Sequence, residues 1–127
     1  MTEAKPKFDL EERTAKFGIA VIEFSRKIPE TITTRPLISQ FVRAGTSVGA
    51  NYCEANDAES KKDFVHKIGI CKKEARESMY WLHMIGVAVP ESKESARKLW
   101  QEAKELNLIF AAIMKSVAKK IVEHFDL

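Results

Sequence analysis

Glu74 and Glu77 stand one helical turn apart and flank an apolar patch around Trp81. Paired carboxylates of this kind can divide general-acid and general-base work. An ion pair with an arginine, such as Arg43 or Arg76, accounts for them more simply. Asp63 and His66 set a carboxylate and an imidazole at the i, i+3 spacing of metal-binding helices. A di-iron bundle needs two Glu-x-x-His pairs and two further glutamates. The sequence holds no such set, so a solvated helix start is the plainer reading. His83 and His124 have no carboxylate at ligand spacing and are expected as packed or rim residues. The chain has no glycine-rich phosphate loop, nucleophile elbow or Cys-x-x-Cys pair. It is therefore read as non-enzymatic, with no cofactor, metal or catalytic residue expected. A small enzyme using Glu54, Glu74 or Glu77 is the weakest alternative.

Basic residues gather at Lys61-Lys62, Lys67, Lys72-Lys73 and Arg76, and again at Arg97-Lys98, Lys115 and Lys119-Lys120. Acidic residues are interleaved with them, so a solvated face is the ordinary reading. Aromatic residues do not alternate with these clusters along the chain, as a single-strand stacking surface would require. Phosphate contact through Lys61, Lys62, Lys72 and Lys73 is the functional reading. A net charge of +3 permits a polyanionic partner without demanding one. Copies arranged in a ring would concentrate it; five would carry about +15.

A third set lies between residues 35 and 56. On a helical wheel Leu37, Ile38, Phe41, Val48 and Tyr52 collect opposite Arg43, a core face at period 3.6. Arg43, Ser47, Asn51 and Glu54 form a polar strip on the other side, by pattern alone a solvated face. Arg43 and Glu54 are about 16 Å apart along the axis and cannot pair with each other. Each is expected to find a structural partner on another helix or subunit, with Glu74 or Glu77 serving Arg43. Gly45, Gly49 and Cys53 follow at spacings of four. Glycine inside a helix costs about 1 kcal/mol relative to alanine, and close approach by a neighbouring helix is the expected compensation.

The run Gln40-x-x-Arg43-Ala44-x-x-Ser47-x-x-Ala50-Asn51-x-x-Glu54, followed by Lys62-Asp63-Phe64, resembles a bacterial four-helix-bundle family. That family was first described from proteins encoded in 23S rRNA intervening sequences. The resemblance extends over nearly the whole chain and is strongest from Gln40 to Glu77. It implies a small up-and-down bundle, homopentameric assembly and, as the usual suggestion, nucleic-acid binding. Two departures stand out. Tyr52-Cys53 replaces an apolar residue and alanine, and Asn56-Asp57-Ala58 replaces a glycine-containing basic turn. That turn is therefore not where nucleic-acid contact is expected.

These residues need elements to hold them. At 127 residues the chain is one domain with room for a real core. No apolar run approaches the roughly 18 residues of a membrane span. Residues 1–8 lack an apolar signal core and are read as a disordered lead, and the protein as cytoplasmic. The fold class is all-α, an antiparallel up-and-down four-helix bundle with helices near 9–28, 35–56, 61–89 and 92–125. Leu10, Phe17, Val21, Phe24 and Ile28 make a heptad seam that ends at Pro29. Thr33 or Thr34 should cap helix 2, Ser60 helix 3 through a Ser-x-x-Asp box, and Ser92 helix 4.

Helix 4 carries two seams. Leu99, Ala103, Leu106, Phe110, Ile113, Val117 and Ile121 form the first. Trp100, Asn107, Ala111, Met114, Ala118 and Phe125 lie about 100° round. A bundle helix needs roughly one apolar stripe, so the second seam is read as a subunit interface, with a broad core-facing stripe as the alternative. Ile70, Trp81 and Met84 on helix 3, with Ala15, Ile19 and Ile22 on helix 1, extend that reading. Cys53 and Cys71 would sit about 10 Å apart along neighbouring helices. That exceeds disulfide reach, so two buried reduced thiols are expected. The favoured function is an oligomeric scaffold, most simply a pentamer, that binds structured RNA through basic surfaces. The alternative is a protein-binding adaptor ring with no nucleic-acid role.

Overall fold

The computed structural model describes residues 9–125, with side chains to residue 120. The expected lead at 1–8 lies outside the described residues, as do the side chains of Ile121, His124 and Phe125. Four helices follow in order: α1 (Leu10–Arg26), α2 (Thr34–Asn56), α3 (Lys61–Ala88) and α4 (Lys93–Phe125), with a single 3-10 turn at Pro90–Ser92. Sequence neighbours pack side by side, and a thinner α1–α4 contact closes the bundle. Among the described residues the fold is wholly helical, as the periodicity predicts.

The helix ends have local causes. α1 stops at Arg26, two residues before the expected end, because Pro29 disfavours helical geometry in the residue before it. Asp9 caps its start by accepting from the Glu12 amide. Ser60 accepts from the Asp63 amide at 3.0 Å, as the capping box predicts. The α2 cap is different from expectation. Thr33 makes no side-chain cap bond; the Oγ1 of Thr31 accepts from the Thr34 amide at 3.0 Å. The Oγ1 of Thr34 accepts in turn from the Thr31 amide and donates to the Pro29 carbonyl. At α4 the Ser92 hydroxyl turns back to the Val89 carbonyl, and the chain enters the helix through the 3-10 turn.

The core is one cluster drawn from all four helices, including Phe17, Phe41, Ile68, Leu82, Leu106 and Phe110. The glycine stripe of α2 faces α1. A Cβ at Gly45 would stand 2.6 Å from a methyl of Val21, and one at Gly49 would stand 3.2 Å from Thr14 Oγ1. No described residue has a positive φ, so these glycines supply space, not conformational freedom. Cys53 continues the stripe but is exposed. The expectation of burial fails because α1 begins at Leu10, and Cys53 meets only its first turn, with Sγ 3.9 Å from Glu11 Oε1. Cys71 is fully buried. Burial pushes its thiol up to about 12. In native protein at pH 8 one thiol per chain is expected to react with a chromogenic disulfide reagent, and two after unfolding. Two in the native state would mean that the core around Cys71 opens readily.

Part of the second seam of α4 finds a partner inside the chain. Asn107 donates to the Lys72 carbonyl of α3 at 2.9 Å. The Met114 methyl lies against Gly69 of α3, and Trp100 faces an open hollow that Leu82, His83 and Gly86 also line. These contacts give part of that seam an intrachain partner, while Trp100, Asn107 and Met114 stay half-buried and Ala118 is exposed. α4 is nearly twice as long as α1, so it packs widely on α3, and a broad stripe serves that contact. Trp81, Trp100 and Met114 are half-buried at the core edge. Ile70 and Met84 are also half-buried. The α1 strip is open: Ile19 is 55% and Ile22 43% exposed. Across the α1–α4 contact Arg13 clasps Glu102 through two 2.8 Å bonds, a pairing the sequence does not reveal.

Candidate functional site

The α2 strip is largely occupied by structural bonds. Ser47 donates to the Arg43 carbonyl at 2.6 Å, and Asn51 donates to the Ser47 carbonyl at 2.8 Å. Both satisfy their own helix. Glu54 accepts from Lys67 of α3 at 2.6 Å. Arg43 reaches α3 as expected, donating to Glu74 at 3.1 Å and to Glu77. Glu77 also accepts from Trp81 Nε1 at 3.1 Å. Burial works against the Arg43 charge, but bonding to the two glutamates outweighs it and raises its pKa. Glu74 and Glu77 are thus both engaged by one cation. The Arg43 side chain is 46% exposed, so within one chain the pair contributes less than about 1 kcal/mol. Among the described residues no group of three His, Cys, Asp or Glu side chains is placed to hold a metal. No helix there is long and apolar enough to cross a membrane.

The same contacts sort the charges of α3. Its acidic residues, Asp63, Glu74 and Glu77, fall within about 60° of one another, on the side turned to α2. Lys61, Lys62, Lys72 and Lys73 fall in a different sector of about 120°, which also holds Arg76, Tyr80 and His83 and no carboxylate. Asn107 and Met114 identify that sector as the one bordering α4. Lys61, Lys62 and Lys73 are exposed, and Lys72 is half-buried. The acids that alternate with them in sequence are therefore on another face in space.

α4 answers with a basic strip. Lys93, Arg97, Lys104 and Lys115 fall within about 40° of one another, all exposed, next to Trp100 and Ala111. Two open hollows of about 490 and 520 Å³ meet at Trp100 and His83. Lys73, Arg76 and Tyr80 border one, and Lys93, Arg97 and Gln101 the other. Lys104 Nζ lies 5.4 Å from the centre of the indole. Sequence reasoning missed Tyr80, His83, Arg97 and Lys104 as partners of the lysines. The signal available was the acid-free sector of α3, visible only when its charges are placed on a wheel.

Comparison with solved structures finds a protein of unknown function from the S23 ribosomal protein family of Bacteroides thetaiotaomicron. It is 28% identical, with a TM-score of 0.74, over 83% of this chain and 97% of that one. Comparison with the curated proteins gives no match. The profile of the 23S rRNA-intervening sequence protein family matches residues 7–112. The four-helix architecture and this match together place the chain in the family of 23S rRNA-intervening sequence proteins.

Proposed function

We propose that this chain is a non-enzymatic, cytoplasmic, homo-oligomeric scaffold that binds structured RNA through the basic face of α3, with five subunits the favoured assembly. The observation that carries the reading is the charge sorting on α3. Its carboxylates face α2, while Lys61, Lys62, Lys72 and Lys73 share an acid-free sector. Such a face suits phosphate oxygens, which fix a protein on nucleic acid without reading its sequence. One chain at +3 is weakly attractive to a polyanion. Replication of the lysines around a ring supplies the missing contacts. The open strip of Ala15, Ile19 and Ile22 on α1 supports assembly, because contiguous exposed apolar patches are uncommon on soluble monomers.

Light scattering at micromolar concentration is expected to give several times the 14.4 kDa chain mass. Filter binding to a structured RNA is expected to weaken steeply with salt, with a log–log slope of about −4 or steeper when several subunits engage. Changing Lys61, Lys62, Lys72 and Lys73 together to Glu is expected to abolish binding and leave the particle mass unchanged. A flat salt response, or binding that survives the fourfold change, favours the protein-binding adaptor instead. A monomer at all concentrations removes the scaffold.

A further inference from the structure

The lysines of α3 explain attraction to phosphate, but the fold also sets aromatic rings among free cations, which phosphate contact alone does not need. Trp100 stands at the junction of the two hollows along the α3–α4 groove, with Tyr80 and His83 beside it. Lys73, Arg76 and Arg97 line the same hollows, and none has a carboxylate partner among the described residues. The single carboxylate at the rim, Glu77, is bonded to Arg43 and Trp81. Lys104, over the indole, is exposed. Tyr80 is 55% exposed.

Resting on the nucleic-acid reading, we infer that this groove takes an unpaired nucleotide of a loop or bulge, its base stacked on Trp100 and its flanking phosphates held by Lys73, Arg76 and Arg97. Unstacked bases in RNA loops are commonly received by aromatic rings, and every base offers a π-face whatever its identity. The spacing suits this arrangement. Arg97 lies one turn from Trp100 along α4, and Arg76 one turn from Tyr80 along α3, about 4.5 to 6 Å in each case. Cations thus flank the rings on both helices. Lys104, displaced from the indole by the base, stays within reach of a phosphate. A regular duplex keeps its bases stacked inside and cannot use the indole, so the groove distinguishes loops from duplexes of equal charge.

The test compares two RNA probes in filter binding with the full-length chain: a hairpin with an eight-nucleotide uridine loop, and a fully paired duplex with the same number of phosphates. The wild type is expected to bind the hairpin more tightly. Trp100→Leu is expected to weaken hairpin binding roughly 5- to 150-fold, the loss of one stacked base, and to leave duplex binding unchanged. Trp100→Phe retains most of the preference. Trp100 is half-buried, so Trp100→Leu is checked for helicity. If it does not fold, the exposed changes Arg97→Glu and Lys104→Glu carry the test, weakening the hairpin more than the duplex. Equal binding of both probes, unaltered in these variants, overturns the groove and leaves the phosphate-binding reading standing. Binding of neither probe removes both. If polyglutamate displaces the hairpin as well as an RNA of equal charge does, the groove belongs to an acidic protein segment and the inference is overturned.

Discussion

Phe110→Ala is expected to lower the stability of the fold by about 3–5 kcal/mol, the cost of truncating a buried aromatic ring when its surroundings relax only partly. Phe110 has no exposed surface and belongs to the core cluster shared by the four helices. Its ring centre is 6.1 Å from that of Tyr52 on α2, so it links helices that are not sequence neighbours. Alanine leaves a void that these long helices cannot close without shifting along their whole length. Phe110→Leu keeps most of the volume and should cost much less. Urea denaturation followed by circular dichroism at one fixed protein concentration measures both changes, since assembly makes stability depend on concentration. A loss below about 1 kcal/mol for the alanine variant would remove Phe110 from the centre of the core.

The second large effect is expected at a residue with no side chain. Alanine in place of a helical glycine ordinarily stabilises by up to about 1 kcal/mol. At Gly45 the sign should reverse, to a loss of about 1–3 kcal/mol. The added Cβ would stand 2.6 and 2.8 Å from the two methyl groups of Val21. Val21 is buried and β-branched, so its χ1 has no free rotamer to take up the strain. α1 must then move off α2. Adding Val21→Ala should recover part of the loss, and a double-mutant cycle reads this as coupling between the two positions. Gly18 is the internal control, because a Cβ there meets nothing closer than 3.8 Å. Gly18→Ala is expected to be neutral or stabilising. If Gly45→Ala behaves like Gly18→Ala, the helices are not packed this closely.

Much of the fold was legible because helical periodicity is a local property. Residues three and four apart share a face, so the core positions Phe41, Val48, Ile68, Leu106 and Phe110 could be picked from spacing alone. Pro29 and Pro90 mark helix boundaries through the backbone of the residue before them. The glycines at 45 and 49 announced a close neighbour, since their helical cost needs a compensation. Arg43 announced its own partner class, because no carboxylate on its helix could reach it, and α3 supplied Glu74 and Glu77.

What covers each face was settled only in three dimensions. The second seam of α4 read as an outer surface, yet Asn107 and Met114 on it meet α3. Cys53 sits on the same stripe as two close-packed glycines, yet it is open to solvent because α1 begins beside it. The interleaved charges of α3 looked self-neutralising in sequence. Rotation of the helix between its two neighbours turned the carboxylates to α2 and the lysines to α4. The physical reason is common to all three. A sequence determines the faces of each helix, since the 3.6-residue period acts within a few residues. The rotation and axial offset between helices depend on the packing of all of them at once, and those decide which faces meet.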